Sequence, residues 1–465
     1  MNNTSAKVFH VSTSIVLPAT QKNGTTRKIE LNPMDFRPFR RLYPQSGLLF
    51  PKPKTSVESN QEETNKIIRN LKSSLSQTLD YFFPLAGRLG MEKHEDGTIS
   101  FYINCNSAGA KFTYAVADVT VADLLEPTYT PDIIDSFFTL DGVPNYDGLS
   151  MPLLSIQVTQ LIDGIFMAFS INHSVCDGTS IWQFVYSWSQ ISRGFNISHP
   201  PAIVPRWLPN ETSFPINLPF SSITELFVEK HIPSPQLRQK TFHFTPRNIA
   251  KLKGKAKSES GFTFTSLQAV SAHVWVSVTR ARHLHPNEEV TFQFGIDNRD
   301  RLDPPLHKGY FGNAVQVGTA TVKAGELLEK GITFGASLLK QMVESWTNIE
   351  IQCYWESWLE NPVMPSPSDF TSSTNLLVGG STKFSLYSTD FGWGVPLASL
   401  YGSNYKFDGR IMAEPGPVNG VVTLNICLPL EILKALEKDV EFMETACTVL
   451  PPEYSRSKTT PMSML

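Results

Sequence analysis

Cysteine is scarce in this chain, and so are charge and long apolar runs. Five cysteines, at positions 105, 176, 353, 427 and 447, are spread through 465 residues without a C-x-x-C pair. So sparse and irregular a set fits neither a structural zinc site nor a disulfide framework, and it points to a reducing compartment. No run of about 18 apolar residues occurs, so no membrane span is expected. Met1 to Lys7 are polar and no apolar segment of signal-peptide length follows, which makes the cytoplasm the expected location. Charge of one sign is missing too. The 40 Lys and Arg nearly cancel 43 Asp and Glu, leaving a net charge of −3, without the cationic surplus that nucleic acid demands. Wholesale disorder is excluded, because 41% of the residues are hydrophobic and only 18% charged. No internal repeat of solenoid length and no low-complexity tract is present.

What the chain does have is 30 phenylalanines and 33 prolines. The prolines crowd between Pro200 and Pro209 and recur at Pro215 and Pro219. Proline fixes φ and lacks an amide donor, so this stretch can be neither helix nor central strand. It reads as an extended crossover over 201–225, between an N-terminal domain (1–200) and a C-terminal domain (226–465). In the first half, Lys7–Val16 alternates as a strand. Ile67, Ile68, Leu71, Leu75, Leu79 and Phe82 predict a helix over about 61–82. Leu153–Thr159 and Ile165–Ile171 flank the turn signal Asp163-Gly164 and predict a hairpin. Its second strand is apolar throughout, as a strand buried on both faces should be. Asn172 and His173 follow directly, and then a helix carrying Ile181, Phe184, Val185 and Trp188. In the second half, strands are expected at Lys240–Phe244, Val290–Ile296 and Val421–Leu428. Helices are expected after the Thr245-Pro246 cap, over Phe264–Arg280 and Ile332–Trp346, and as one helix placing Ile432, Leu433, Leu436, Val440 and Met443 on a face. Strands interleaved with helices make this an α/β chain.

Chemistry can first be sought at His173, four residues before Asp177 at the mouth of a buried strand. A neutral imidazole can take a proton from an alcohol or amine near pH 7. Asp177 could orient that ring, or could pair elsewhere and hold the loop. Alone, the H-x-x-x-D spacing has low specificity. Other roles fit less well. His173 and Asp177 lack a third metal ligand at ligand spacing. Cys176 reads as a buried hydrophobe, and Ser174 and Ser180 lack the G-x-S-x-G elbow. A second constellation, Asp390-Phe391-Gly392-Trp393-Gly394, shares a triplet with protein kinases, but no phosphate loop precedes it. Two glycines around a tryptophan suggest a tight structural corner. A third feature is the basic run Lys251, Lys253, Lys255 and Lys257, placed just past a predicted helix. It is either a solvated face or a contact for an anionic cofactor tail.

Together these features resemble the plant BAHD acyltransferases over nearly the whole chain. The family's H-x-x-x-D-G motif is matched by His173 to Gly178 and its D-F-G-W-G motif by Asp390 to Gly394. Supporting blocks are Tyr81–Leu89, Ser266–Ala269, Asp297–Pro305 and Tyr310–Asn313. The resemblance implies two domains like chloramphenicol acetyltransferase, each a mixed sheet flanked by helices, with a solvent channel between them. It implies an acyl-CoA co-substrate, an alcohol or amine acceptor, no permanently bound cofactor, no metal and a monomer. His173 would be the general base, and Asp177 would pair with Arg299, or failing that Arg301. Lys253 and Lys255 correspond to the family's coenzyme A contacts. Arg40 and Tyr43, with Arg41, fall where the family lines its acceptor pocket.

The chain also departs from the pattern. Where many relatives carry S-W-x-R before D-F-G-W-G, it has Gly379, Gly380, Ser381, Thr382 and Lys383. A single point charge at Lys383 replaces a bidentate arginine, and Ser381 or Thr382 could donate to an oxyanion. Val395 stands where relatives often carry a cation. These differences keep open an alternative, the same fold working as a lyase or hydrolase without coenzyme A. The C-terminal Ser463-Met464-Leu465 is close to the S-K-L peroxisomal address and gives the peroxisome as an alternative location.

Overall fold

The apolar run that ends at Ile171 forms a strand, Gly164–Ile171, with every residue buried. It pairs with Leu154–Gln160 in the expected hairpin. A computed structural model describes residues 7–20, 27–53, 61–210, 212–226, 236–366, 369 and 372–454. Ser463-Met464-Leu465 lies outside these. That hairpin is the centre of a six-stranded sheet, ordered Val8–Val16, Ala110–Ala117, Leu154–Gln160, Gly164–Ile171, Gln45–Pro51, Ala398–Tyr401. Helices Gln61–Tyr81 and Gly178–Ser192 pack together beside it. The Trp188 indole N–H donates to the Ser74 hydroxyl at 3.0 Å, and the Phe82 and Phe184 rings meet at 5.4 Å. The predicted face Ile68, Leu71, Leu75 and Leu79 is buried here.

A second sheet has seven strands, ordered Val315–Lys323, Glu289–Asp297, Asn375–Gly380, Arg410–Pro415, Val422–Pro429, Leu237–Phe244, Ala446–Cys447. Val290, Phe292, Phe294 and Ile296 turn inward on alternate positions of one strand and join a separate core with Trp275. Thr245 and Thr265 cap the helices Pro246–Ser260 and Ser266–Ala281 through their hydroxyls. A three-stranded sheet of Arg27–Glu30, Ile99–Cys105 and Arg88–Lys93 completes the fold. No helix among the described residues is long and apolar enough to cross a membrane.

The helix expected over Ile332–Trp346 is present to Ser345, and a shorter helical stretch from Ala324 precedes it across the break at Gly331, whose φ is 71°. Three expectations need correction. The single helix expected after Val421–Leu428 is two, Leu430–Lys438 and Val440–Met443. Asp439 caps the second, and Val440 is left 74% exposed. The crossover is extended but ends in a helical turn at Ile223–Leu226. It is also anchored rather than loose, since Arg206, Ile216 and Leu218 are buried. Finally, the halves are not consecutive blocks. The segment carrying Asp390–Gly394 was expected with the C-terminal half, yet Leu386 and Phe391 join the first core. Ala398–Tyr401 then pairs with Ser46–Leu49 as an edge strand of the first sheet.

That returning strand brings Ser399 and Tyr401 against Glu414 of the second sheet, and both hydroxyls donate to its carboxylate. Glu414 is 3% exposed, and burial pushes its pKa up from 4.5 to about 8. Between those values the folded chain holds a proton that the unfolded chain has lost. Stability therefore falls as pH rises through this window, at ~1.4 kcal/mol per pH unit. Glu414→Gln, which copies the neutral acid, is expected to remove this slope. Its melting temperature should exceed the parent's by a margin that widens from pH 5 to pH 8. A constant margin would show that the carboxyl is ionised in the fold.

Candidate active site between the two sheets

Between the two large sheets lies a cavity of about 870 Å³. Arg41, His173 and Trp182 reach it from the first half, and Phe294, Ser381 and Arg410 from the second. His173 follows Gly164–Ile171 after one residue, so the sheet delivers it to the cavity wall. Its backbone is clamped by two amides. The Asn145 Oδ1 accepts its N–H at 2.7 Å, and the Asn313 Nδ2 donates to its carbonyl at 2.7 Å. Asn145 is itself held by the carbonyls of Pro38 and Arg41, at 2.8 and 2.9 Å. Asn313 also donates to the Asp35 carboxylate at 2.8 Å. The His173 Nδ1 is buried while the ring keeps part of its surface, so its exposure lies toward the edge carrying Nε2. Burial holds the imidazole below its usual pKa of 6.5. Its own carbonyl and Asp177 oppose that shift, while Arg41 adds to it. The ring is therefore neutral near pH 7.

Asp177 does a different job. Its carboxylate caps the helix Gly178–Ser192 by accepting the Ser180 N–H at 3.0 Å, and it accepts the Ala314 N–H at 3.0 Å. Both oxygens face Arg299, whose Nη1 and Nη2 lie at 2.8 and 3.0 Å. Burial alone would raise this carboxyl, but the charge and hydrogen bonds of Arg299 hold it below the usual carboxylate range. Arg299 sits in the loop that joins Glu289–Asp297 to Val315–Lys323, and it also donates to the carbonyls of Tyr310 and Gly312. This loop, which carries Asn313 too, reaches from the second sheet to the first. A parallel arrangement lies behind it. The buried Arg206 of the crossover approaches Asp35 at 3.4 Å and donates to the carbonyls of Phe311 and Val175. At Gly178 the Phe384 ring comes close, so that a Cβ there would lie 2.9 Å from its tip and push the ring aside.

The segment Asp390–Gly394 stands outside the cavity lining. The Asp390 Oδ1 accepts three backbone N–H groups, from Gly392, Trp393 and Gly394, at 2.7, 3.1 and 3.0 Å. Gly392 and Gly394 adopt φ of 99° and 98°, where any other residue is strained. Phe391 and Trp393 set their rings against Phe50 at 5.9 and 5.7 Å. The motif forms a tight corner plugged into the first core.

Of the other expected contacts, Ser381 and Lys383 line the cavity and Thr382 does not. Lys253 and Lys255 are not brought to it. They lie within the helix Pro246–Ser260 rather than past its end, and neither lines the cavity. Arg40 also misses the cavity and donates to the Met364 carbonyl at 3.2 Å, while Tyr43 is sealed in the core. The wall is formed instead by their neighbours Arg37, Pro38, Arg41 and Leu42. Asn145, Arg37 and Arg410 were not singled out from the sequence. Asn145 carries no motif, and Arg410 reads as one cation opening a short strand. Among the described residues, no group of three or more His, Cys, Asp or Glu could hold a metal ion.

Comparison with known proteins matches this arrangement. The model of the Transferase family matches residues 6–443. An uncharacterized acetyltransferase of Arabidopsis thaliana is 39% identical over 448 residues, covering 94% of this chain and 99% of that protein. The BAHD acyltransferase DCR of the same plant is 32% identical, covering 82% of this chain and 81% of its own. In fold, the chain is similar to the crystal structure of F. graminearum TRI101 complexed with coenzyme A and T-2 mycotoxin. The TM-score is 0.72 at 17% identity, with 90% of this chain and 99% of that chain covered. The chain therefore belongs to the Transferase family, the BAHD acyltransferases, whose work is acyl-CoA-dependent O- or N-acyl transfer.

Proposed function

We propose that this chain moves an acyl group from a coenzyme A thioester directly to an alcohol or amine of a small specialised metabolite, with His173 as general base. The observation that carries this reading is a neutral, desolvated imidazole in the wall of a cavity built by both sheets. A hydroxyl is a weak nucleophile at its own pKa. His173 takes its proton as the oxygen or nitrogen attacks the thioester carbonyl, and a tetrahedral oxyanion forms. The Ser381 hydroxyl and Lys383, both in the lining, are the groups we assign to the oxyanion and to the donor. Collapse breaks the carbon–sulfur bond, and the imidazolium returns its proton to the leaving thiolate. No acyl-enzyme is needed. Ser174 and Cys176 are buried and do not line the cavity, and burial pushes the Cys176 thiol well above its usual pKa.

The test is thiol release from a panel of acyl-CoA thioesters and acceptors. His173→Ala should lower kcat/KM by about a thousandfold, the scale of a lost general base, and bind coenzyme A as the parent does. In the parent, the acidic limb of kcat/KM should show an apparent pKa below 6.5. Undiminished transfer by His173→Ala would sink the assignment. A parent that releases no thiol from any thioester, yet cleaves the acceptor panel, would favour lyase or hydrolase chemistry.

Asp177 acts in this reading by holding the loop rather than by touching substrate. Asp177→Asn removes the buried one of the two carboxylates on Arg299 and leaves it only the more exposed Asp297 at 3.1 Å, so it should cost up to about 3 kcal/mol of stability. The variant should therefore lose melting temperature and activity together. If it melts with the parent while turnover vanishes, Asp177 takes part in the chemistry.

A further inference from the structure

Arg410 opens the strand Arg410–Pro415 near the middle of the second sheet and is 1% exposed. One of its nitrogens is satisfied, the Nη2 that donates to the Asn425 Oδ1 at 2.7 Å. The Nε and Nη1 are buried and meet no oxygen or nitrogen acceptor among the described residues, the Cys427 thiol being the nearby group that the guanidinium engages. The groups that act on its charge are Cys427 and Tyr405, neither of them a carboxylate. A buried cation without an anion is costly, and donors left open in a cavity wall mark a place for a ligand. Arg410 is not alone there. Arg37, Arg41, Asn404 and Tyr405 line the same cavity. The Arg410 guanidinium stacks over Tyr401 and Tyr405, 5.2 and 5.7 Å from the ring centroids. Arg41 also acts on the Tyr405 hydroxyl and lies within electrostatic range of Arg37 and His173. Of the three carboxylates in the lining, Asp177 and Asp297 are tied to Arg299 at 2.8 and 3.1 Å and Asp300 is exposed, while Asp369 lies within electrostatic range of Arg41 and partly offsets its charge.

We infer that Arg410, with Arg41 and Arg37, forms an anion subsite that takes a carboxylate of the acceptor. The inference deepens the acyl-transfer reading and rests on it. A planar guanidinium whose Nε and Nη1 meet no oxygen suits a planar carboxylate. The phosphates of coenzyme A are a poorer match. The pantetheine arm holds them far from the thioester, whereas Arg41 is close enough to act on His173. The acceptor, by contrast, must bring its nucleophile to His173 and its remaining groups to the walls nearby.

Calorimetric binding and thermal shifts can test this with benzoate, cinnamate and hexanoate as probes, against their carboxamides. The parent should bind at least one acid about tenfold or more tightly than its amide, the scale of one charge-assisted contact. Arg410→Met should bring acid and amide together, and it should melt no lower than the parent because it removes an uncompensated buried charge. Arg41→Gln, on the other half of the molecule, should weaken the same preference. Saturating coenzyme A should leave the acid's affinity unchanged. Equal binding of acids and amides, no binding of any acid, or a preference that survives Arg410→Met overturns the inference. Displacement of the acid by coenzyme A also overturns it and assigns the arginines to the donor's phosphates. A chain that prefers acids but releases no thiol would refute the transfer reading and leave this subsite standing.

Discussion

The buried pair between Asp177 and Arg299 is the contact on which the rest of the site depends. It joins a loop of the first sheet to a loop of the second, with both oxygens and both terminal nitrogens engaged. A pair so placed contributes little net stability by itself, because desolvation offsets most of the attraction. What it supplies is register. With Arg299 held, Asn313 of the same loop reaches the His173 carbonyl, and Ala314 closes on Asp177. His173 is thus positioned through its backbone, by groups from both halves of the chain, and the ring is left without a carboxylate partner.

That arrangement separates two tasks which a triad would combine. In a triad the acid orients the base and stabilises its protonated form. Here the acid is consumed by an arginine, and the imidazole stays neutral through burial with Arg41 nearby. A neutral imidazole of this kind suits the general-base role we propose for it, in which an alcohol or amine attacks an already activated carbonyl. The second sheet supplies the facing wall, and the strand Ala398–Tyr401 crosses back to close the first sheet. The cavity is consequently a property of the whole chain rather than of either half.

Much of this was legible in the sequence, for identifiable reasons. The hairpin around Asp163-Gly164 and the helix over 61–82 announce themselves because turn chemistry and periodicity are local. The partners Asp177 and Arg299 were legible through the family resemblance, although 122 positions separate them. Strands such as Asn375–Gly380 gave no usable period, as they are short and end in glycines. The return of Ala398–Tyr401 to the first sheet is a long-range pairing that no local pattern encodes. Arg40 and Arg41 look equivalent in sequence, yet one turns to the Met364 carbonyl and the other to the cavity. Lys253 and Lys255 form the more conspicuous basic run, but they lie on the helix Pro246–Ser260, none of whose residues lines the cavity. The buried, half-satisfied Arg410 is the reverse case, invisible as a motif and exposed only by its surroundings.

Direct transfer within this cavity is the step that the proposed function requires. The most direct measurement is intact-protein mass spectrometry during turnover, with the thiol and acylated acceptor quantified in the same samples. Direct transfer leaves the protein's mass unchanged while thiol and acylated acceptor appear in equal amounts. A mass increase equal to the acyl group, or thiol without acylated acceptor, would contradict it.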